Sequence, residues 1–210
     1  MQIFLDDTDY QKFLYILADV LDAWDVDCWD ACLMPNHYHL ALMNRQPTLP
    51  QALQQLNGEY ASWWNVRHGR VGHVFQGRYK DQIVQREGYL LSLVRYIALN
   101  PVRARLVETP GDWRWSTYRY TAGLAPNPGF VRSELVLAQF GEAAPGVLRE
   151  RYIRHVMPDL SPDEEEQFKR FRSRQRVLGD RPFKRNILRS PSAVGISATA
   201  VDAAVAAGCA

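Results

Sequence analysis

Cysteine is scarce: Cys28, Cys32 and Cys209 are the only three in 210 residues. So few, and odd in number, they do not make the disulfide framework of a small secreted scaffold. No run approaches the ~18 consecutive apolar residues of a membrane span. No basic start leads into an apolar signal-peptide core, so the expectation is a cytoplasmic protein with no membrane partner. Internal repeats are absent, which argues against a solenoid. Bases are also scarce at first. Residues 1–66 carry nine acids against Lys12 and Arg45 alone, a balance of −7, whereas the remainder carries +9. A basic later portion suits an anionic polymer partner; it equally suits surface helices solvated by Lys and Arg. The 47% hydrophobic content is enough for a core, and the length fits one ordinary domain, with or without an appendage.

The pattern along the chain is mixed. Asp6 to Ala23 reads as an amphipathic helix with Phe13, Leu14, Leu17, Val20 and Leu21 at helical spacing, and Thr8 or Asp9 is available as its cap. Val26 to Met34 suggests a strand with broken alternation, Met34-Pro35-Asn36 a turn, and His37 to Met43 a second strand, together a hairpin. Leu49 to Val66 is helical in composition, and RHGRVGH at 67–73 is a basic, glycine-bearing loop. Phe75 to Val84 is a further strand candidate. Glu87 to Leu99 reads as a helix with Pro101 just past its end. Short helices are expected over Ser133 to Phe140 and Ala144 to Val156, and another opens at Ser161, which can cap it. Nine Lys or Arg residues fall within 169–189, and the Ala-rich residues from 190 on read as a loose tail.

The chemistry concentrates in MPNHYHLALM, residues 34–43. Alternate side chains of a strand share a face, so His37 and His39 point the same way while Tyr38 and Leu40 point into the core. Two imidazoles so placed can share a divalent metal; two unrelated surface histidines near a turn give the same pattern. Cys28 and Cys32 add sulfur nearby, but the spacing suits structural zinc poorly, and cysteine in an apolar strand usually packs as a small hydrophobe. A metal held by two histidines keeps open positions, which suits catalysis. Tyr96 and Asn100 lie one helical turn apart on a shared face. A tyrosine hydroxyl can attack phosphorus beside a metal, and Asn100 can add an oxygen ligand; a half-packed helical tyrosine is the alternative.

Taken in order, MPNHYHLAL, LNGEYASWWNVRHGRVGHVFQGRYK and LVRYIALNPVRARLVETPGDWRWSTYR resemble the REP-associated tyrosine transposases, within the tyrosine-HUH single-strand endonucleases. The resemblance runs from about Ile3 to Phe140. It implies an α+β fold, a ferredoxin-like sandwich whose antiparallel sheet carries the His-hydrophobic-His motif, followed by C-terminal helices. It implies that His37, His39 and Asn100 hold Mg2+ or Mn2+. Tyr96 would then open a single-stranded phosphodiester to a 5′-phosphotyrosine and a free 3′-hydroxyl, on short REP-like hairpins. Arg67, Arg70, Arg78, Lys80, Arg95, Arg103 and Arg105, with His68 and His73 nearby, are the candidates for phosphate contacts. Trp63 and Trp64 could stack bases or pack in the core; Trp113 and Trp115 read as structural.

The family begins with a strand before its first helix, and this chain starts at MQIFLDD, a strand's worth later. The expectation is therefore a gap at a central sheet position, left open or filled by another segment or chain. The divisions expected are a catalytic domain over 1–123, a basic helical extension over 124–189 and the tail over 190–210. A homodimer is compatible with all this. So is a second function: a non-catalytic DNA-binding remnant or domesticated regulator. A metal-binding protein with no DNA role accounts for less of the sequence.

Overall fold

A computed structural model of the chain describes residues 2–44, 46–76, 80–157, 161–172, 177–189 and 198–203. In chain order the elements are α1 (Asp7–Ala23), β1 (Val26–Met34), β2 (His37–Asn44), α2 (Leu49–Arg67), β3 (Lys80–Val84), α3 (Arg86–Arg103), α4 (Tyr118–Thr121), α5 (Ser133–Leu137), α6 (Pro145–Val156), α7 (Pro162–Arg172), β4 (Val177–Leu178), α8 (Arg181–Arg189) and β5 (Ala198–Ala203). The fold is α+β.

The β1–β2 hairpin forms because two β-rich runs meet at a tight Pro35-Asn36 turn, in the register Met34 to His37 through Val26 to Asn44. A bulge between Cys28 and Asp30 breaks the alternation. Beyond it Ala31 and Leu33 join Cys28 on one face, while Trp29, Cys32 and Met34 take the other. The two cysteines thus sit on opposite faces of the sheet, both buried and free, and cannot share an ion.

One face carries α1 and α2. Phe13, Leu17, Val20, Leu53, Leu56, Tyr60 and Trp64 pack there against Tyr38, Leu40 and Leu42. The cap of α1 is Asp6 rather than Thr8 or Asp9: its side chain accepts from Thr8 N and Asp9 N. Asp9 is instead fully buried, accepting from Leu5 N at 2.7 Å and facing Arg67 and His68. The opposite face carries α3 with α4, α5 and α6, where Leu93, Val94, Ile97, Val136, Tyr152 and Val156 form one cluster. Residues 118–156 therefore share a core with α3. The free edge of β1 is covered by the segment after α3, through Leu33 N to Trp115 O and Thr117 N to Ala31 O.

Helix α3 runs four residues past Leu99, with Pro101 inside it. Proline removes one donor, but only in the last turn, and the ladder resumes with Ala104 N to Asn100 O at 2.9 Å.

The sheet order is β1-β2-β5-β3-β4. The Ala-rich end is not a loose tail throughout: residues 198–203 form β5, antiparallel to both β2 and β3. Every neighbour is antiparallel except the short β3–β4 edge pair. β5 occupies the slot between β2 and β3, so the backbone of the strand bearing His37 and His39 is hydrogen-bonded on both sides. A strand-wide gap at that place would strand buried N–H and C=O groups; Ala198–Ala203 contains no proline, so each of its residues can donate to the ladder.

Candidate active site

His37 opens β2 and His39 follows two residues on, so both rings project toward α3 while Tyr38 projects into the α1–α2 core. The Nε2 atoms of the two rings lie 3.0 Å apart. Two ligands at metal–nitrogen distances of roughly 2.0–2.2 Å, set at a right angle, would be separated by about 3 Å. The separation suits either an N–H···N bond or a shared cation. His37 Nδ1 sits 2.7 Å from Asn36 Oδ1. An amide oxygen only accepts, so Nδ1 carries the proton and Nε2 offers its lone pair. His39 is 5% exposed, and burial pushes its pKa down to about 4, leaving it neutral at neutral pH. The donor set therefore fits a divalent ion.

Tyr96 faces the pair from α3. Its ring meets that of His39 edge-on, with centroids 5.5 Å apart, and is 4% exposed. α3 arrives there because its apolar stripe of Leu90, Leu93, Val94 and Ile97 packs on the sheet beside Cys32, Met34 and Ala41. Asn100, one turn later, is half-buried and donates from Nδ2 to Tyr96 O at 2.8 Å, a bond that holds the amide against its own helix. The structure thus brings His37, His39 and Tyr96 together, and sets Asn100 on the helix beside them.

The expected DNA contacts divide. Arg70, Arg103 and Arg105 are exposed. Arg70 stands 5.7 Å over the Trp64 ring. Arg103 closes α3 and Arg105 lies two residues on. Arg67 is held by Asp6 and Asp9 and stands over Trp63. Arg95 does not extend the basic surface: it is 3% exposed and its guanidinium meets Glu164 of α7. The i, i+1 step from Tyr96 turns it about 100° around the helix, beneath α7. Arg78 and the side chain of Lys80 lie outside the described residues. Trp64 is buried and Trp63 partly so, packed against the same core; Trp113 donates to Leu33 O at 2.9 Å and Trp115 stacks on Tyr10. Asn36 escaped the sequence reading, although its place just before His37 in the turn was the available signal.

Residues 2–100 match the family model described as "Transposase IS200 like". The matched region, a little under half of the chain, holds His37, His39, Tyr96 and Asn100. Over these residues the chain is similar to the IS200-like transposases. No curated protein and no solved structure shows a significant match. Among the described residues no helix is long and apolar enough to cross a membrane.

Proposed function

We propose that this chain is an IS200-like transposase of the REP-associated type, a metal-dependent single-strand DNA nickase and strand-transferase with Tyr96 as its nucleophile. The observation that carries the reading is the 3.0 Å His37–His39 pair set against the Tyr96 ring. His37 and His39 would hold Mg2+ or Mn2+, with the Asn100 side-chain oxygen as a further ligand. Such an ion would draw charge from the phosphate oxygens. The Tyr96 oxygen attacks phosphorus and loses its proton to solvent. The P–O3′ bond breaks, the 3′ oxygen takes up a proton, and a 5′-phosphotyrosine remains. Attack of another 3′-hydroxyl on that ester reverses the step and joins strands. Asn36 keeps the His37 ring in the orientation and tautomer that present Nε2. Arg70, Arg103 and Arg105 contact backbone phosphates of a hairpin-forming single strand; these position DNA without reading it. A cytoplasmic location and a homodimer accord with this role.

The burial of Tyr96 favours a second reading, a DNA-binding regulator whose tyrosine never leaves its packing. The two separate on one gel. Labelled single-stranded hairpins are mixed with protein and Mg2+, Mn2+ or EDTA, and run in SDS beside Tyr96→Phe. The expected result is a label-bearing protein band that needs metal and is lost in the variant. Hairpin binding without that band would establish the regulator instead.

A further inference from the structure

A cavity of about 490 Å³ opens beside His37. One wall is the hairpin turn, from Met34 through Pro35 and Asn36; the other is the chain leaving α3 at Ala104 and Leu106, with Gln2 at the rim. Both walls are held by the fold. The Pro35 carbonyl accepts from Ile3 N at 2.9 Å and Phe4 N at 3.1 Å, which brings Gln2 over the turn. Leu106 N bonds to Pro101 O and Arg105 N to Val102 O, both at 2.9 Å, which closes the end of α3 and sets Leu106 in place.

The lining selects the occupant. Among the described residues the lining is Gln2, Met34, Pro35, Asn36, His37, Ala104 and Leu106, with no Asp, Glu, Lys or Arg, a surface better matched to an uncharged group than to a phosphate. Leu106 is 42% exposed and lines the cavity together with Pro35, apolar surface that a flat heteroaromatic ring would cover. Asn36 Oδ1 is engaged by His37, which leaves Asn36 Nδ2 and the Gln2 amide as hydrogen-bonding groups at the edge. Because His37 itself lines the cavity, an occupant here is the immediate neighbour of whatever the histidine pair holds.

We infer that this cavity receives the nucleobase next to the scissile phosphate, with Leu106 and Pro35 against its faces and Gln2 and Asn36 at its hydrogen-bonding edge. The chain would then select its cut site through one flanking base, separately from the arginines that grip the backbone. The inference rests on the nickase reading for its name, but the binding site can be tested without cleavage.

The experiment uses the full chain and a set of hairpin oligonucleotides. In one arm the base on either side of the cut is varied through all four and through an abasic residue, and the rate of covalent adduct formation is read. In the other, 2-aminopurine is placed at each flanking position and its fluorescence is followed on binding in EDTA. Loss of the base is expected to slow adduct formation about tenfold at one flanking position only. The fluorescence is expected to rise at that same position, as the base leaves its stacked neighbours for an aliphatic surface, and Leu106→Ser and Gln2→Ala are expected to abolish both the rise and the discrimination. A rise lost in those variants supports the cavity even if no adduct forms on any substrate. Equal adduct rates on abasic DNA, or a rise that survives both variants, overturns the inference and leaves the nickase standing. No adduct and no fluorescence change anywhere overturns both.

Discussion

Arg105 sits at φ 56, in the left-handed region, at the position after a helix where glycine is the usual residue. Its two backbone bonds, Arg105 N to Val102 O and Leu106 N to Pro101 O, are those of a helix stop that glycine would make without a Cβ clash. An L-residue there costs about 1 kcal/mol relative to glycine. Arg105→Gly should therefore stabilise the chain by about 0.5–1 kcal/mol once the small favourable interaction of a cation with the helix end is subtracted. In a chain of this length that is about 2 °C in Tm. Arg105→Ala keeps the backbone cost and loses the charge, so it should be slightly destabilising. On DNA the two variants should behave alike. If Arg105 contacts one phosphate, the slope of log K against log salt for single-stranded hairpins should fall by about 0.7 in both. Thermal melts and salt-titrated fluorescence anisotropy are the assays. A glycine variant no more stable than the alanine variant would refute the backbone argument, and an unchanged salt slope would refute the phosphate contact.

Asp30 is 1% exposed; burial raises its carboxyl from 3.8 to about 7, against lowering bonds from Thr117 and Ala31 N. Since the folded chain holds the proton longer, stability should fall as pH rises between those values, by ~4 kcal/mol at most. Asp30→Asn cannot ionise and should lack that loss; urea melts at pH 5 and pH 8 that differ equally for both proteins would count against it. Asn36→Ala should weaken Mn2+ binding about tenfold by releasing the His37 ring, and calorimetry showing no change would remove Asn36 from that role. Val201 pairs with Leu40 on one side and Asp81 on the other, so Val201→Pro should break the central ladder and lower Tm by several degrees. A melt identical to the parent's would show that β5 does not hold the sheet together.

Periodicity alone carried much of this. The alternation of His37, Tyr38 and His39 assigned two faces of a strand, and the four-residue step from Tyr96 to Asn100 assigned one face of a helix, because those patterns are set by backbone geometry within a few bonds. The hairpin turn and α1 were legible for the same reason. Pro101 misled about the end of α3, since one missing donor in a last turn is tolerated once packing extends the helix. What only the tertiary structure decided is long-range. A bulge placed Cys28 and Cys32 on opposite faces and buried Asp30. A packed α7 removed Arg95 from the surface. The distance from His39 to Tyr96 depends on how α3 docks, and the fold of the first residues over Pro35 put Gln2 at the cavity. The pairing of residues 198–203 with strands more than a hundred positions earlier left no local trace, because an alanine-rich segment becomes a strand only where a neighbouring backbone has hydrogen bonds to complete.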